Sequence, residues 1–320
     1  MCLGIGCART LATRVPGLSQ TGLETEPTPS VREVQGYWNR HPAGAAEVEH
    51  LVAERLAYFD ERDRQTRLLY PNLDKDYQFT RAKNKLALEV GCGMGYNAQR
   101  LAECGAELIV LDLAPAAIQL TRERLSLRNL AAYFVVADVE KLPFEPASFE
   151  IVFSSGVIHH SPNTEKAARE IIRVLSEQGA ATVMVYHRNS IWYWWNIVVV
   201  LGSLIFVLNH LPNQVQNIAI AKRPHWRDLL MPAGRKLTRQ DVVRAGTDFG
   251  GLQNPLSRVY TKAAAEQLFE GLMDFRFVTQ FNRFRALDES PTLWVRVRQN
   301  LHSWLDKRWG WFLIVHATKP

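Results

Sequence analysis

Apolar residues along this chain change their spacing twice. From Val31 to about Tyr70 they recur at helical intervals. Val34, Tyr37 and Trp38 stand at i, i+3 and i+4, and a second helical segment is predicted from about Ala45 to Asp63. After Phe79 the pattern becomes short apolar runs separated by helical stretches. Leu86–Val90 leads into a glycine cluster and a helix from near Asn97 through Leu101. Leu108–Leu111 stops at Asp112, and Pro115, tolerated in a first turn, opens a helix to about Arg128. Tyr133–Val136, Phe149–Phe153 and Ala180–Val185 are three further predicted strands, with a helix at Glu165–Leu175. Much later, Thr261 caps a helix Lys262–Gly271, followed by strands near Phe275–Phe281 and Trp311–Val315. Short apolar strands alternating with helices predict βαβ units, hence a parallel sheet covered on both faces. The chain therefore reads as an α/β, doubly wound domain of residues 81–187 and 258–320. A helical cap at 31–80 and a flexible tail at 1–30 precede it.

The alternation is broken by residues 188–257. Asn189–Ala221 contains no Asp, Glu, Lys or Arg, and Ile191–Leu208 within it is strongly apolar. At roughly 1.5 Å per residue, such a helix is about as long as a bilayer is thick. A crossing, however, would put the strands near Phe275 and Trp311 on the wrong side of the membrane from their sheet. Two readings stay open. The segment is either a helix covering a deep apolar acceptor pocket or a helix lying in the membrane interface. Trp192, Trp194 and Trp195, with Lys222 and Arg223 downstream, suit interfacial seating.

Composition narrows the class without naming it. Hydrophobic residues make up 47% and charged residues 22%, which excludes a disordered chain, a collagen and a coiled coil. The four cysteines, Cys2, Cys7, Cys92 and Cys104, have no metal-ligand spacing and read as reduced thiols of a cytoplasmic protein. Residues 1–30 lack an apolar core for a secretory signal, although an organellar leader is an alternative to a plain tail. The net charge of +6 suits an anionic cofactor or a membrane surface.

The most informative stretch is Glu89-Val-Gly91-Cys92-Gly93-Met-Gly95. Glycines at the end of a buried strand let the chain turn tightly and bring backbone amides against a ligand. The next helix then points its positive end at that ligand. Asp112 ends the second strand about twenty residues beyond the first glycine, where a carboxylate accepts from ribose hydroxyls. A dinucleotide fingerprint needs a small residue at position 96; this chain has Tyr96, which argues for a cofactor without a pyrophosphate and against a nicotinamide dehydrogenase. Asp138, past the third strand, is placed to accept from an adenine amino group.

Leu88–Gly95, Leu111-Asp112-Leu113, Ala137-Asp138-Val139 with Leu142-Pro-Phe144, and Phe149–Pro162 resemble successive motifs of class I S-adenosylmethionine-dependent methyltransferases, nearest their small-molecule branch. The resemblance covers about Lys85–Arg188 and resumes from about Arg258. It implies a Rossmann-like seven-stranded sheet whose last strand inserts antiparallel. It implies S-adenosylmethionine as cofactor, with Gly91, Cys92, Gly93 and Gly95 facing its methionine, Asp112 on the ribose and Asp138 on the adenine. Glu89, Leu113, Ala137, Val139, Ser154 and Ser155 complete the implied cofactor site. An aromatic ring of the N-terminal helix, Tyr37, either contacts the sulfonium or packs on the core.

The acceptor is expected beside the end of the fourth strand, at Ser154-Ser-Gly-Val-Ile-His159-His160-Ser-Pro162. His159 and His160 are candidate general bases, since imidazole titrates near neutrality. The alternative for His160 is to hydrogen-bond its own loop beneath the cofactor. With no carboxylates beside them, they predict no metal site. Tyr186, His187 and Trp192 are expected in the acceptor pocket. No Asn-Pro-Pro-Tyr-like stretch, glutamate pair or Pro-Cys nucleophile follows the fourth strand, so nucleic acid is not the expected substrate. The reading is O-methylation of a small lipophilic metabolite by a cytoplasmic or membrane-associated enzyme. Carbon methylation of a quinone-like ring is the alternative within the class, and a non-catalytic cofactor-binding membrane adaptor the alternative outside it.

Overall fold

The computed structural model describes residues 28–42, 55–211, 237–247, 254–280 and 293–320. Their strands are β1 Leu86–Val90, β2 Glu107–Asp112, β3 Tyr133–Val136, β4 Phe149–Ser155, β5 Leu175–His187, β6 Val259–Tyr260, β7 Met273–Gln280 and β8 Phe312–Thr318. Seven of them form one sheet in the order β3-β2-β1-β4-β5-β8-β7, with β6 paired to β5 off that path. β1 to β5 run parallel, and β8 is antiparallel to both β5 and β7. The expected doubly wound sheet with an antiparallel last strand is therefore present. Because β2 and β3 lie on one side of β1 and β4 on the other, the loops after β1 and β4 diverge and open a crevice.

Alternation along the strands gives each face its own core. Leu88, Val90, Val152, Val183 and Val315 pack on one side. Ala87, Val110, Ile151, Phe153, Met184 and Ile314 pack on the other. The pattern misjudged several ends. β5 begins at Leu175 and outruns β4, which turns away at Gly156 (φ +76°). The edge vacated there is taken by β6, pairing Val259 and Tyr260 with Tyr186 and His187, an eighth strand the sequence did not predict. Helix Leu293–Trp309 was also unforeseen; its apolar positions Val297, Leu301 and Trp304 face solvent rather than the core. The tail at 1–27 and the start of the helix expected from Ala45 lie outside the described residues.

The cap is made of α1 Val31–Arg40, α2 Arg55–Leu69 and α3 Leu73–Tyr77; α4 Tyr96–Glu103, α5 Pro115–Ser126 and α6 Thr164–Val174 cover the sheet. α1 starts at a capping box, Ser30 with Glu33. It is held to the domain by Gln35 Nε2, which donates to the Leu113 carbonyl (2.8 Å), and by Asn39 Oδ1, which accepts from Ala116 N–H (3.1 Å). α2 is anchored by charge. Arg124 of α5 is fully buried, ion-pairs with Asp63 of α2 and donates to Gln99 Oε1 at 2.8 Å.

The insert leaves β5 as a π-helical segment Trp192–Leu201 that continues as an α-helix Gly202–His210. Helix Arg239–Thr247 returns antiparallel along it. Trp192 Nε1 donates to the Gly246 carbonyl (2.9 Å), and at the far end Asn209 exchanges two hydrogen bonds with Leu237. Gly246 is needed at the crossing, since a Cβ there would stand 2.5 Å from Ile197 Cγ1.

The Arg124–Asp63 pair yields a stability test. Asp63→Leu strands a buried guanidinium and is expected to cost about 3–5 kcal/mol in denaturant unfolding. Asp63→Leu/Arg124→Met should recover most of that loss; a double variant as unstable as the single one would refute the pair's role.

Candidate functional site

A cavity of about 250 Å³ lies in the crevice between the β1 and β4 loops. Its base is the backbone of Gly91, Cys92, Gly93 and Met94. This run needs glycine for two reasons. Gly91 has φ +78°, and a Cβ on it would stand 2.1 Å from Val157 Cγ2. Gly95, at φ +79°, starts α4 in the left-handed conformation against Thr121. Each requirement brings chain segments closer than any side chain allows.

Two carboxylates enter the wall from the ends of β2 and β3. Asp112 Oδ2 accepts from Cys92 N–H (2.8 Å) and Gly93 N–H (3.2 Å), and its Oδ1 accepts from Ala114 N–H (2.8 Å). It therefore shapes the glycine loop as well as lining the cavity. Burial raises its pKa, and the three backbone donors oppose that rise. Asp138 is also raised by burial, while Glu140 N–H donates to its Oδ1 at 2.9 Å. Leu113, Ala137, Val139 and Pro162 add an apolar wall between and beside the acids.

The β4 loop closes the opposite side through Ser155, Gly156, Val157 and His160. Tyr77 and Ser155 share a 2.7 Å hydrogen bond. His160 Nδ1 donates to the Leu256 carbonyl (2.6 Å), so the tautomer presents Nε2 as an acceptor. Arg258 holds the loop from outside, donating to the carbonyls of Ser161 and Pro162. The roof is α1, whose Val31, Val34 and Trp38 form one helical stripe, with Arg62 and Thr66 of α2 beside it.

Of the residues expected here from sequence, Gly91, Cys92, Gly93, Asp112, Leu113, Ala137, Asp138, Val139, Ser155 and His160 all line the cavity. Others do not. Tyr37 packs edge-on against Trp38 at 5.0 Å, and it is Trp38 that faces inward. Ser154 is buried with its hydroxyl unpartnered. His159 is buried behind His160 and packs with tilted rings against Tyr186 at 4.1 Å; neither of its ring nitrogens has a partner. Burial holds it well below its ordinary pKa and therefore neutral. Tyr186, His187 and Trp192, expected in the acceptor pocket, lie elsewhere. Tyr186 stacks on Trp311 (4.6 Å), His187 Nδ1 donates to the Gly310 carbonyl (3.0 Å), and Trp192 packs beside this cluster. They are displaced because β5 continues past β4 and carries them to the insert, not to the cleft.

Trp38, Arg62, Thr66 and Arg124 are lining residues that the sequence reading missed. Arg62 and Thr66 stand at i, i+4 on α2, a spacing visible in the sequence. What the sequence does not carry is how α2 docks. The resulting cleft offers carboxylates at one end, an apolar wall along it and cationic side chains under the cap. That is a receptor for a ligand bearing hydroxyls or amines, a flat ring and an anionic group.

Glu89 lies beneath the loop. It is wholly buried, both carboxylate oxygens lack partners, and burial beside Asp112 raises its pKa well above 4.5. The folded state thus holds a proton there that the unfolded chain releases above about pH 4.5, so stability falls as pH rises past that value. Glu89→Gln should raise the melting temperature of the ligand-free protein at neutral pH and flatten this decline. A variant that keeps the wild-type slope would disprove the assignment.

Residues 88–183 match a family described as "Methyltransferase domain". Tocopherol O-methyltransferase of Arabidopsis thaliana is 34% identical over 111 residues, covering 33% of this chain and 32% of that protein. Sterol 4-C-methyltransferase of Caenorhabditis elegans is 30% identical over 100 residues, 31% of this chain and 30% of that protein. The aligned part thus spans about a third of these relatives' length. Ubiquinone biosynthesis O-methyltransferase of Coxiella burnetii is 24% identical over 209 residues, covering 65% of this chain and 80% of that protein.

Proposed function

We propose that this chain, a class I S-adenosylmethionine-dependent methyltransferase by its fold and by residues 88–183, methylates an oxygen of a small lipophilic acceptor. The observation that carries the cofactor assignment is the cleft itself: a glycine turn in which a Cβ on Gly91 or Gly95 would collide with Val157 or Thr121, with Asp112 and Asp138 along one apolar wall. These residues fit the cofactor. Backbone at Gly91–Gly93 suits the methionine portion and Asp112 the ribose. Asp138 between Ala137 and Val139 suits the adenine. The cofactor supplies an activated methyl group on a sulfonium, so the protein need only orient the acceptor, exclude water and manage one proton.

Trp38 and the Val31/Val34 stripe cover the cleft and keep water from it, and they give it an apolar side for a ring or chain. Of the two histidines only His160 faces the cleft, and its Nδ1 bond to Leu256 fixes the ring so that Nε2 can take a proton from a hydroxyl. His159, neutral and enclosed, supports that ring from behind. The tocopherol O-methyltransferase and ubiquinone biosynthesis O-methyltransferase relatives support an oxygen acceptor. The sterol relative is a carbon methyltransferase, which keeps carbon methylation as the second reading.

Calorimetry with S-adenosylhomocysteine should show binding that Asp112→Ala weakens about tenfold to a hundredfold, given 1.5–3 kcal/mol for a hydrogen bond to a charged group. No binding, or an unchanged affinity in the variant, would refute the cofactor assignment. For the proton, His160→Ala should lower kcat about a hundredfold or more while leaving that affinity within a few-fold. His159→Leu should retain turnover. With a deuterated methyl donor, a label on carbon in the product would select the second reading.

A further inference from the structure

Two helices leave large apolar side chains in solvent, and the topology brings both to one end of the sheet. On Trp192–His210, long and apolar enough to cross a membrane, Trp194, Trp195, Val198, Val199, Phe206 and Val207 are exposed, Phe206 by 65%. The opposite face is already occupied: Ile197, Ile205 and Leu208 are buried, and the last two pack with Leu237 and Val242 of the returning segment. On Leu293–Trp309, Val297, Leu301 and Trp304 stand exposed at i, i+4 and i+7, a single stripe. Exposed Lys307 and Arg308 follow, with the Arg308 guanidinium 5.3 Å from the Trp304 ring. Trp311, just past this helix, stacks on Tyr186 in the same buried cluster as Ile197. Both helices therefore radiate from one cluster at the C-terminal end of β5.

The charge pattern selects the occupant. The run Asn189–Ala221 has no Asp, Glu, Lys or Arg, and the sequence that follows it carries Lys222, Arg223, Arg227, Arg235 and Lys236 against one acid, Asp228, before Leu237. Exposed tryptophans on an apolar helix, a chain that turns basic directly after it, and exposed Lys307 and Arg308 at the end of the second stripe match the headgroup–acyl boundary of an anionic bilayer. A protein partner would instead be met by a polar rim of both signs. Crossing is opposed by the returning helix, which carries Arg239, Asp241 and Arg244 alongside. We infer that Trp192–His210 and Leu293–Trp309 together form a docking surface that seats the protein in the plane of an anionic membrane. That the bilayer also delivers the acceptor rests on the function proposed above; the docking itself does not.

Flotation of the full-length chain with phosphatidylcholine vesicles, with and without phosphatidylserine, tests the surface. The wild type should float with the anionic vesicles and less with the neutral ones. Val199→Asp and Leu301→Asp, both solvent-exposed substitutions, should each reduce the bound fraction about tenfold, with added salt weakening the wild type further. S-adenosylhomocysteine calorimetry on the same preparations separates the two ideas. Retained cofactor binding with no flotation overturns the docking surface alone; flotation without cofactor binding overturns the enzymatic reading alone. Lipid-independent self-association abolished by Val199→Asp would assign the face to protein contact and overturn the proposal.

Discussion

One buried carboxylate joins the parts of this molecule that matter for chemistry. Asp112 ends β2, yet its oxygens are engaged by the amides of Cys92 and Gly93 after β1 and of Ala114 before α5. Burial disfavours its charge, and the three donors are what allow an anion there. The shape of the glycine loop, the start of α5 and the negative wall of the cleft are consequences of that one compromise. α5 in turn presents Arg124 to Asp63 and so fixes α2, whose Arg62 and Thr66 complete the roof. Cap, loop and cleft are therefore mechanically coupled.

Most of the sheet was legible because a largely buried parallel strand reads as a short, mostly apolar run. Leu86–Val90 and Phe149–Phe153, each carrying one glutamate, stand out for that reason. Strand ends were less so: nothing in the composition of Leu175–Gly179 distinguishes strand from turn, and only the Gly156 bend in β4 creates an edge for Val259 and Tyr260. The cofactor side of the site was readable since its geometry is carried by backbone and adjacent residues, Gly91 to Gly95, Asp112, Asp138. The roof was not. Its lining comes from α1, held by Gln35 and Asn39, and from α2, held by a buried ion pair between residues far apart in sequence. Tyr37 and Trp38 illustrate the limit: neighbours on one helix differ by about 100° in direction, and the docking of α1 decides which faces inward.

The histidine pair shows how adjacency in sequence conceals different environments. His160 is anchored to Leu256 and meets the cleft, whereas His159 is sealed among Tyr186 and His160 with no hydrogen-bond partner. Two rings that look interchangeable are a hydrogen-bonded residue of the cleft wall and a neutral, enclosed one. The aromatic stack from His160 through His159, Tyr186 and Trp311 also connects the cleft wall to the base of the insert.

The pairing of His187 with Tyr260 has an evolutionary meaning. These residues sit on neighbouring parallel strands, about 4.8 Å apart, and Arg188 N–H bonds the Tyr260 carbonyl at 2.8 Å. Everything between them leaves and rejoins the sheet through a single gateway. The sheet end itself thus sets no length for that excursion, but its last residues are tied to the cleft, Leu256 accepting from His160 Nδ1 and Arg258 donating to the Ser161 and Pro162 carbonyls. Natural selection could lengthen, shorten or replace the part before Leu256, retargeting the protein as long as these final contacts with the β4 loop were kept.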